Sequence, residues 1–295
     1  MTKGQTDPRN PHLVRDESAG FHRVHPTPSV DTLKKLYGHE YYARDKPVYL
    51  EKTAQELAYW HGIWDLRLAA MAQALDTGNR RILDVGASGG FFLARARDLD
   101  WEIAGVEPSI QSVTHAKEKL GIGLTEGYLE DLNASEPCFD AVHMALVLEH
   151  VRDPRAFLRH ALALLRPGGV IWVEVPNDFN PFQAAIVDRL NKDHWWVVPH
   201  HHLNYFDFHS LTSLLKELEA EELDRLGSFP MELFPLMGMD YIGDDKVGAE
   251  AHGHRMNLEK NLLAHNPQVL LTFYRALAAA GLGRTCNVLA RKLAG

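Results

Sequence analysis

A glycine-rich turn between two apolar segments constrains the fold of this chain more than any other feature. Residues 82–85 (ILDV) form a short apolar run, too brief for a helix, which indicates a buried strand. Residues 86–90 (GASGG) follow directly, and their small side chains let the backbone turn sharply and approach a ligand. A helical pattern at 91–98 and a second strand at 102–106 complete a strand–helix–strand unit. Such units build parallel sheets, so the sequence predicts an α/β fold.

An acidic residue, Glu107, ends the second strand, 23 residues after Asp84. The carboxyl ends of neighbouring parallel strands share the sheet edge at which ligands bind. A carboxylate there can accept hydrogen bonds from both hydroxyls of a ribose. The loop is not a dinucleotide fingerprint, because Ser88 and Gly89 break the G-x-G-x-x-G spacing. A ribose-containing ligand is therefore expected, and a nucleotide-dependent oxidoreductase is the less favoured alternative.

The pattern Asp84-x-Gly86-x-Ser88-x-Gly90 resembles motif I of the class I S-adenosylmethionine (SAM) methyltransferases, with Ser88 in place of the middle glycine. The resemblance implies that Asp84 orders the loop and the methionine amino group, and that Glu107 binds the ribose. It implies SAM as cofactor, S-adenosylhomocysteine (SAH) as product, and these cofactor-binding residues: Asp84, Gly86, Ala87, Ser88, Gly90, Glu107, Pro108, Leu129, Glu130, Asp131, Ala145 and Tyr42. Glu130 and Asp131 are alternatives for the adenine amine, and Tyr42 would come from an N-terminal segment folded over the cofactor.

Further motifs follow in the order that this family shows. A predicted fourth strand at 139–146 leads into residues 148–154 (LEHVRDP), and residues 165–169 (LRPGG) precede a fifth strand at 170–175. The region 81–175 is thus similar to the ubiquinone-type O-methyltransferases and to the broader family of small-molecule methyltransferases. Some members carry E-x-x-E-H as a divalent-ion site, but Leu146 stands here in place of the first acid. We therefore expect no metal.

Residues 194–206 (HWWVVPHHHLNYF) contain four histidines and four aromatic residues. Three interpretations stay open. A neutral imidazole could take the proton from an attacking hydroxyl. His194, His200 and His202 could bind a metal, although adjacent ligands on one loop are unusual without a nearby acid or thiol. The imidazoles could instead only pair with the backbone around a turn. The related family often shows P-x-H-x-x-x-F here, which His202 and Phe206 match. We expect His202 or His150 as the general base, and substrate contacts from His200, His201, Trp196 and Tyr205.

Composition excludes several classes of protein. The chain has 295 residues and a net charge of −8, which argues against an extended nucleic-acid surface. No apolar run is long enough to span a membrane, and the N-terminus lacks the apolar core of a signal peptide. The chain has two cysteines, Cys138 and Cys286. We therefore expect a cytoplasmic location and no disulfide framework. The expected partner is a small-molecule acceptor, and the sequence leaves the oligomeric state open.

The predicted architecture is a Rossmann-like seven-stranded, mostly parallel sheet with an antiparallel last strand and helices on both faces. We divide it into a segment without regular structure (1–28), an N-terminal helical lid (29–78), a SAM-binding core (79–230), a cap over the substrate cleft (231–283) and the last strand (284–295). The predicted function is SAM-dependent methyl transfer to a small molecule, more readily at a hydroxyl or carboxylate oxygen than at nitrogen or carbon. A non-catalytic SAM-binding partner subunit is the alternative from a different class.

Overall fold

The computed structural model describes residues 6–7, 9–37, 48–75, 78, 80–133, 135 and 137–293. The strands in these residues are β1 (Thr6–Asp7), β2 (Asn10–Arg15), β3 (His22–Val24), β4 (Arg81–Val85), β5 (Glu102–Glu107), β6 (Thr125–Glu126), β7 (Phe139–Ala145), β8 (Leu165–Pro176), β9 (Asn204–Tyr205), β10 (Ala220–Gly227) and β11 (Thr285–Lys292). The helices are α1 (Val30–Lys35), α2 (Tyr49–Gln55), α3 (Leu57–Ala74), α4 (Phe91–Asp98), α5 (Ile110–Leu120), α6 (Pro154–Leu164), α7 (Pro181–Leu190), α8 (Phe208–Glu217), α9 (Leu233–Leu236), α10 (Asp245–His265) and α11 (Pro267–Ala279).

The central sheet confirms the predicted fold class. Within the described ranges, seven strands pair in the order β10-β11-β8-β7-β4-β5-β6. The pairs β4–β5, β4–β7, β5–β6 and β7–β8 are parallel, whereas β11 runs antiparallel to both β8 and β10. The carboxyl ends of β4, β5, β7 and β8 therefore meet at one edge.

The sheet is buried on both faces, as its nearly continuous apolar strands require. Every residue of β7 from Phe139 to Met144 is buried. One face packs on α6 and α8 through a cluster that includes Phe157 and Leu211. The other face packs on α3, α4 and α11 through a cluster that includes Trp172 and Leu270. No helix in the described part of the chain is long and apolar enough to cross a membrane.

The prediction of no regular structure in residues 1–28 is wrong for the described part of that segment. β2 pairs antiparallel with β3, and β3 pairs with β9 through His22–Tyr205 and Arg23–Asn204. Buried Leu13 packs in the same cluster as Tyr205. The strand partner of β3 lies far along the chain, so the local sequence, which is rich in prolines, does not reveal this pairing.

Local contacts explain where several of the other elements begin and end. Residues 49–74 form two helices, α2 and α3, separated at Glu56. Helix α8 begins after Asp207, because the Asp207 carboxylate accepts a hydrogen bond from the Ser210 backbone N at 2.7 Å. The strand beside β11 at the edge of the sheet is Ala220–Gly227. The division into lid, core and cap stays a prediction.

Candidate active site

A cleft of about 1330 Å³ opens at the carboxyl ends of β4, β5, β7 and β8. Sites for one small ligand typically measure roughly 300–1,000 Å³, so this cleft has room for two small molecules side by side. The predicted site residues on its wall are Gly86, Ser88, Glu107, Pro108, Leu129, Glu130, Asp131, Ala145, His150, His201, His202 and Trp196.

The structure does not bring all of the predicted residues to the cleft wall. Those that lie elsewhere in the described chain are Asp84, Ala87, Gly90, His200 and Tyr205. Asp84 and Ala87 are buried, and His200 is exposed. Tyr205 is 1% exposed and packs with Leu13 and Val24 of the N-terminal strands. Tyr42 lies outside the described residues.

The loop after β4 requires small residues for two reasons. Gly86 and Ser88 have φ angles of +70° and +47°, in the left-handed region that favours glycine. A Cβ atom on Gly86 would also lie 2.6 Å from Cγ2 of Val147, which is closer than packed atoms allow. The turn directs the backbone N of Ser88 toward Glu107, whose Oε2 accepts its hydrogen bond at 2.9 Å.

Glu107 is a buried carboxyl at the end of β5, 3% exposed. Its Oε1 accepts a second backbone hydrogen bond, from Ser109 N at 2.9 Å. Burial raises the pKa of Glu107 to about 7. The two backbone hydrogen bonds lower this pKa, and the charge of Asp84 raises it by a smaller amount. Each carboxylate oxygen has a further lone pair, so Glu107 can still accept hydrogen bonds from a ligand in the cleft.

Asp84 is tied into a chain of buried polar side chains below the cleft. Its Oδ1 accepts a hydrogen bond from Nδ1 of His143 at 2.7 Å, and Nε2 of His143 lies 3.4 Å from Nη1 of Arg67. Nη2 of Arg67 pairs with Oε2 of Glu174 at 2.6 Å. Asp84 is thereby fixed to β7 and α3, and its contact with a methionine amino group stays a prediction.

The structure separates the two acids that spacing leaves as alternatives. Oδ2 of Asp131 accepts a hydrogen bond from the backbone N of Tyr128 at 2.8 Å, which closes the short turn Leu129–Asp131. No such backbone contact engages the carboxyl of Glu130 among the described residues. Glu130 is therefore the better candidate for an adenine amine, with Leu129 buried beside it.

His150 and His202 meet on the cleft wall, with ring centroids 5.1 Å apart. Nδ1 of His150 lies 2.8 Å from the carbonyl oxygen of His201 and 2.9 Å from the hydroxyl of Tyr37, which donates to the same carbonyl at 2.7 Å. Burial lowers the pKa of His150 to about 4, so its ring is neutral at neutral pH. Residues from two distant parts of the chain thus fix this imidazole.

A carboxyl lies beside these histidines. Oε1 of Glu149 is 3.7 Å from Nε2 of His150, and one ligand atom from each of Glu149, His150 and His202 lies within 4.8 Å of the others. A carboxylate and two imidazoles can hold a divalent ion. An acid therefore does lie near the histidines, contrary to the expectation from the sequence. The two segments are held together by a hydrogen bond from Leu203 N to Glu149 O at 2.7 Å. The expectation of no metal stays a prediction.

Several cleft residues escape the sequence reasoning. Tyr37, just after α1, and Tyr49, at the start of α2, both line the cleft. The sequence does distinguish Arg67, because this cation stands three residues after Trp64 on the apolar face of α3. Asp178, which follows β8, has no distinguishing pattern around it.

The fold and the site define an α/β protein that binds a ribose-containing cofactor at the carboxyl edge of its sheet. Comparison with known families makes this assignment specific. The sequence profile of the family described as "Methyltransferase domain" matches residues 51–221. The chain belongs to this family.

Curated relatives are similar over part of their length. The ubiquinone biosynthesis O-methyltransferase of Caulobacter sp. (strain K31) is 32% identical over 166 residues, which are 54% of this chain and 65% of that protein. The protein of the same description from Xanthomonas euvesicatoria pv. vesicatoria (strain 85-10) is 32% identical over 123 residues, 40% of this chain and 52% of that protein. The chain thus spans between about half and two thirds of the length of the relatives it matches.

Solved structures support the fold. The plantazolicin methyltransferase BpumL in complex with SAH has a TM-score of 0.54 at 14% identity, covering 89% of this chain and 95% of that one. Its complex with a monoazolic desmethylPZN analog and SAH has a TM-score of 0.56 at 12% identity, with the same coverage. At such identities the likeness shows the fold alone.

The raised pKa of Glu107 predicts a pH dependence of stability. Between its ordinary value of 4.5 and about 7, the folded protein holds this proton more tightly than the unfolded chain. The free energy of unfolding therefore falls by up to about 3 kcal/mol as the pH rises through this window, and this contribution is constant above it. Urea unfolding of the wild type should show this additional fall relative to Glu107→Gln, whereas Glu118→Gln, at an exposed position of α5, should follow the wild type. Parallel pH profiles for the wild type and Glu107→Gln would contradict the assignment.

Proposed function

We propose that this protein transfers the methyl group of SAM to an oxygen atom, hydroxyl or carboxylate, of a small-molecule acceptor. The observation that carries the proposal is Glu107. It is a buried carboxyl at the end of β5 that lines the cleft and accepts a hydrogen bond from the loop of the family motif. Family membership supports methyl transfer, and the similarity to ubiquinone biosynthesis O-methyltransferases supports oxygen as the acceptor atom.

The residues present fit SAM. The loop at Gly86 and Ser88 leaves backbone exposed at the cleft, Glu107 has lone pairs for the ribose hydroxyls, and Glu130 stands beside Leu129 for the adenine. SAM, when bound, supplies a methyl group attached to a positively charged sulfur. After transfer of the methyl group, this sulfur is part of a neutral thioether. The chain has two tasks in this reaction, to hold the acceptor in line with the methyl group and to accept the acceptor's proton.

The proposed base is His202, with His150 as the alternative. Both line the cleft at the carboxyl ends of β7 and β8. Nδ1 of His150 is engaged with the His201 carbonyl, and its Nε2 faces the carboxyl of Glu149. Both nitrogens of His150 therefore face protein atoms, which favours a positioning role for His150.

Two other functions remain to be tested against this one. A non-catalytic SAM-binding subunit would bind the cofactor product equally well and would show no turnover. A nucleotide-dependent oxidoreductase is disfavoured by the loop spacing and by the family to which the chain belongs.

Cofactor binding tests the proposal directly. Calorimetry should show SAH binding at micromolar strength or better, and Glu107→Ala should weaken binding by about 1–3 kcal/mol, because polar partners are left unpaired. The control Glu118→Ala should bind SAH as the wild type does. Tight NADH binding without any response to SAH would overturn the assignment.

Separate alanine variants identify the base. Loss of the true base should slow single-turnover methyl transfer roughly 10²–10⁴-fold with SAM affinity little changed. We expect His202→Ala to show this loss, and His200→Ala, at an exposed position off the cleft, to serve as the matched control. Full rates in both His202→Ala and His150→Ala would mean that positioning of an already acidic acceptor carries the reaction.

Chelation tests the metal expectation. Leu146 contributes no ligand, and Mg²⁺ prefers oxygen ligands over the two imidazoles beside Glu149. Activity should therefore survive prolonged EDTA treatment. An enzyme inactivated by EDTA and restored by one divalent ion would show that this expectation is wrong.

A further inference from the structure

Asp178, just after β8, is a buried carboxyl on the cleft wall to which neither the fold nor the proposed reaction assigns a task. It is 3% exposed, and its Oδ2 finds no hydrogen-bond partner among the described residues. It lines the main cleft, in which Trp195 and Trp196 are neighbouring wall residues, and also a smaller cavity of about 230 Å³ beneath the N-terminal strands. Burying a carboxyl without a partner is costly, so such a group at a ligand cleft indicates a ligand that would pair with it.

The backbone on both sides of Asp178 is fixed, which keeps the carboxyl in this position. Its own N donates to the Phe206 carbonyl at 2.7 Å. The preceding Asn177 donates from Nδ2 to the carbonyl oxygens of Gly281 and Gly283. Two residues later, Asn180 caps α7 through a hydrogen bond from Gln183 N at 3.1 Å. The carboxyl therefore cannot reach bulk solvent by a simple turn of the loop.

The charges around Asp178 leave a surplus of negative charge. Burial raises the pKa of Asp178 well above its ordinary value, and the charges of Glu232 and Asp207 raise it further. Arg284 is the cation that lowers this pKa in the described part of the chain, but its Nη1 is paired with Oε1 of Glu232 at 2.9 Å. Glu149, on the same cleft wall, also has an oxygen without a hydrogen-bond partner, and the charge of Asp178 raises its pKa.

We propose that the acceptor carries a cationic amino group, and that Asp178 binds this group while the acceptor oxygen lies at His202. An ammonium supplies both the positive charge and the hydrogen-bond donors that the carboxyl lacks. Trp195 and Trp196 line the same cleft, and aromatic faces attract cations and hold a flat carbon skeleton. This inference rests on the proposed function, since it names the substrate class of the same site.

Three small phenols that differ in the charge at the end of their side chain test the inference. Tyramine, para-ethylphenol and para-hydroxyphenylpropionate share a phenol and a two-carbon chain, and their chain ends are cationic, neutral and anionic. Calorimetry on the SAH-saturated protein should show tyramine binding about ten- to a hundredfold tighter than para-ethylphenol, with the propionate weakest. Asp178→Asn should abolish this preference, and Asp188→Asn, at an exposed position of α7, should retain it.

The outcomes separate this inference from the proposed function. SAH is titrated alone first, and the probes are also titrated without SAH, so the charge preference is measured whether or not SAH binds. Asp178→Asn replaces an unpaired buried carboxyl with a neutral amide of the same shape and should unfold at no lower urea concentration than the wild type. Equal affinities for the three probes, no tyramine binding at millimolar concentration, or a preference that survives Asp178→Asn would each overturn the inference. A thermal shift caused by Mg²⁺ or Zn²⁺ alone and lost in Asp178→Asn would overturn it in favour of a metal ligand.

Discussion

The interaction on which the site depends is the buried chain of charged and polar groups from Asp84 through His143 and Arg67 to Glu174. It crosses three adjacent strands of an otherwise apolar sheet and joins them to α3. Thr285 on β11 extends it, donating to Oε1 of Glu174 at 2.9 Å. Each buried charge is tolerated because its neighbour compensates it, so loss of one member would leave the others unpaired at high cost. The chain therefore fixes the relative position of the strand ends that form the base of the cleft.

Above this compensated layer lie acids that are not compensated. Glu107, Glu149 and Asp178 are all buried at the carboxyl edge of the sheet, and burial raises the pKa of each. A fold optimised only for stability would replace these carboxyls with neutral groups. Their common location on one cleft wall is typical of a binding site in which ligands supply the missing partners. We propose the ribose as the partner of Glu107 and a cationic acceptor group as the partner of Asp178.

The features that could be predicted from the sequence are those whose residues lie close together in the chain. The strand, glycine loop, helix and acid from residue 82 to Glu107 are adjacent in the chain, so their relation in the fold follows from the geometry of one strand–helix–strand unit. Arg67, Tyr37 and Asp178 reach the cleft only through packing between distant elements, which no short pattern encodes. The same reason applies to β3 in the N-terminal segment, whose distant partner is β9. Tyr205 was expected at the substrate because of its aromatic neighbours, and it instead packs with the N-terminal strands.

The pairing of β3 with β9 has a consequence for how the protein is made. Residues 22–23 of β3 are synthesised about 180 residues before their partners in β9. Leu13 and Val24 pack in one cluster with Trp196 and Tyr205, so this cluster also waits for the later segment. The histidine segment in turn takes its shape from the beginning of the chain, since Asn10 donates to Nδ1 of His194 at 2.7 Å. This wall of the cleft is therefore completed only once residues 194–205 have been synthesised.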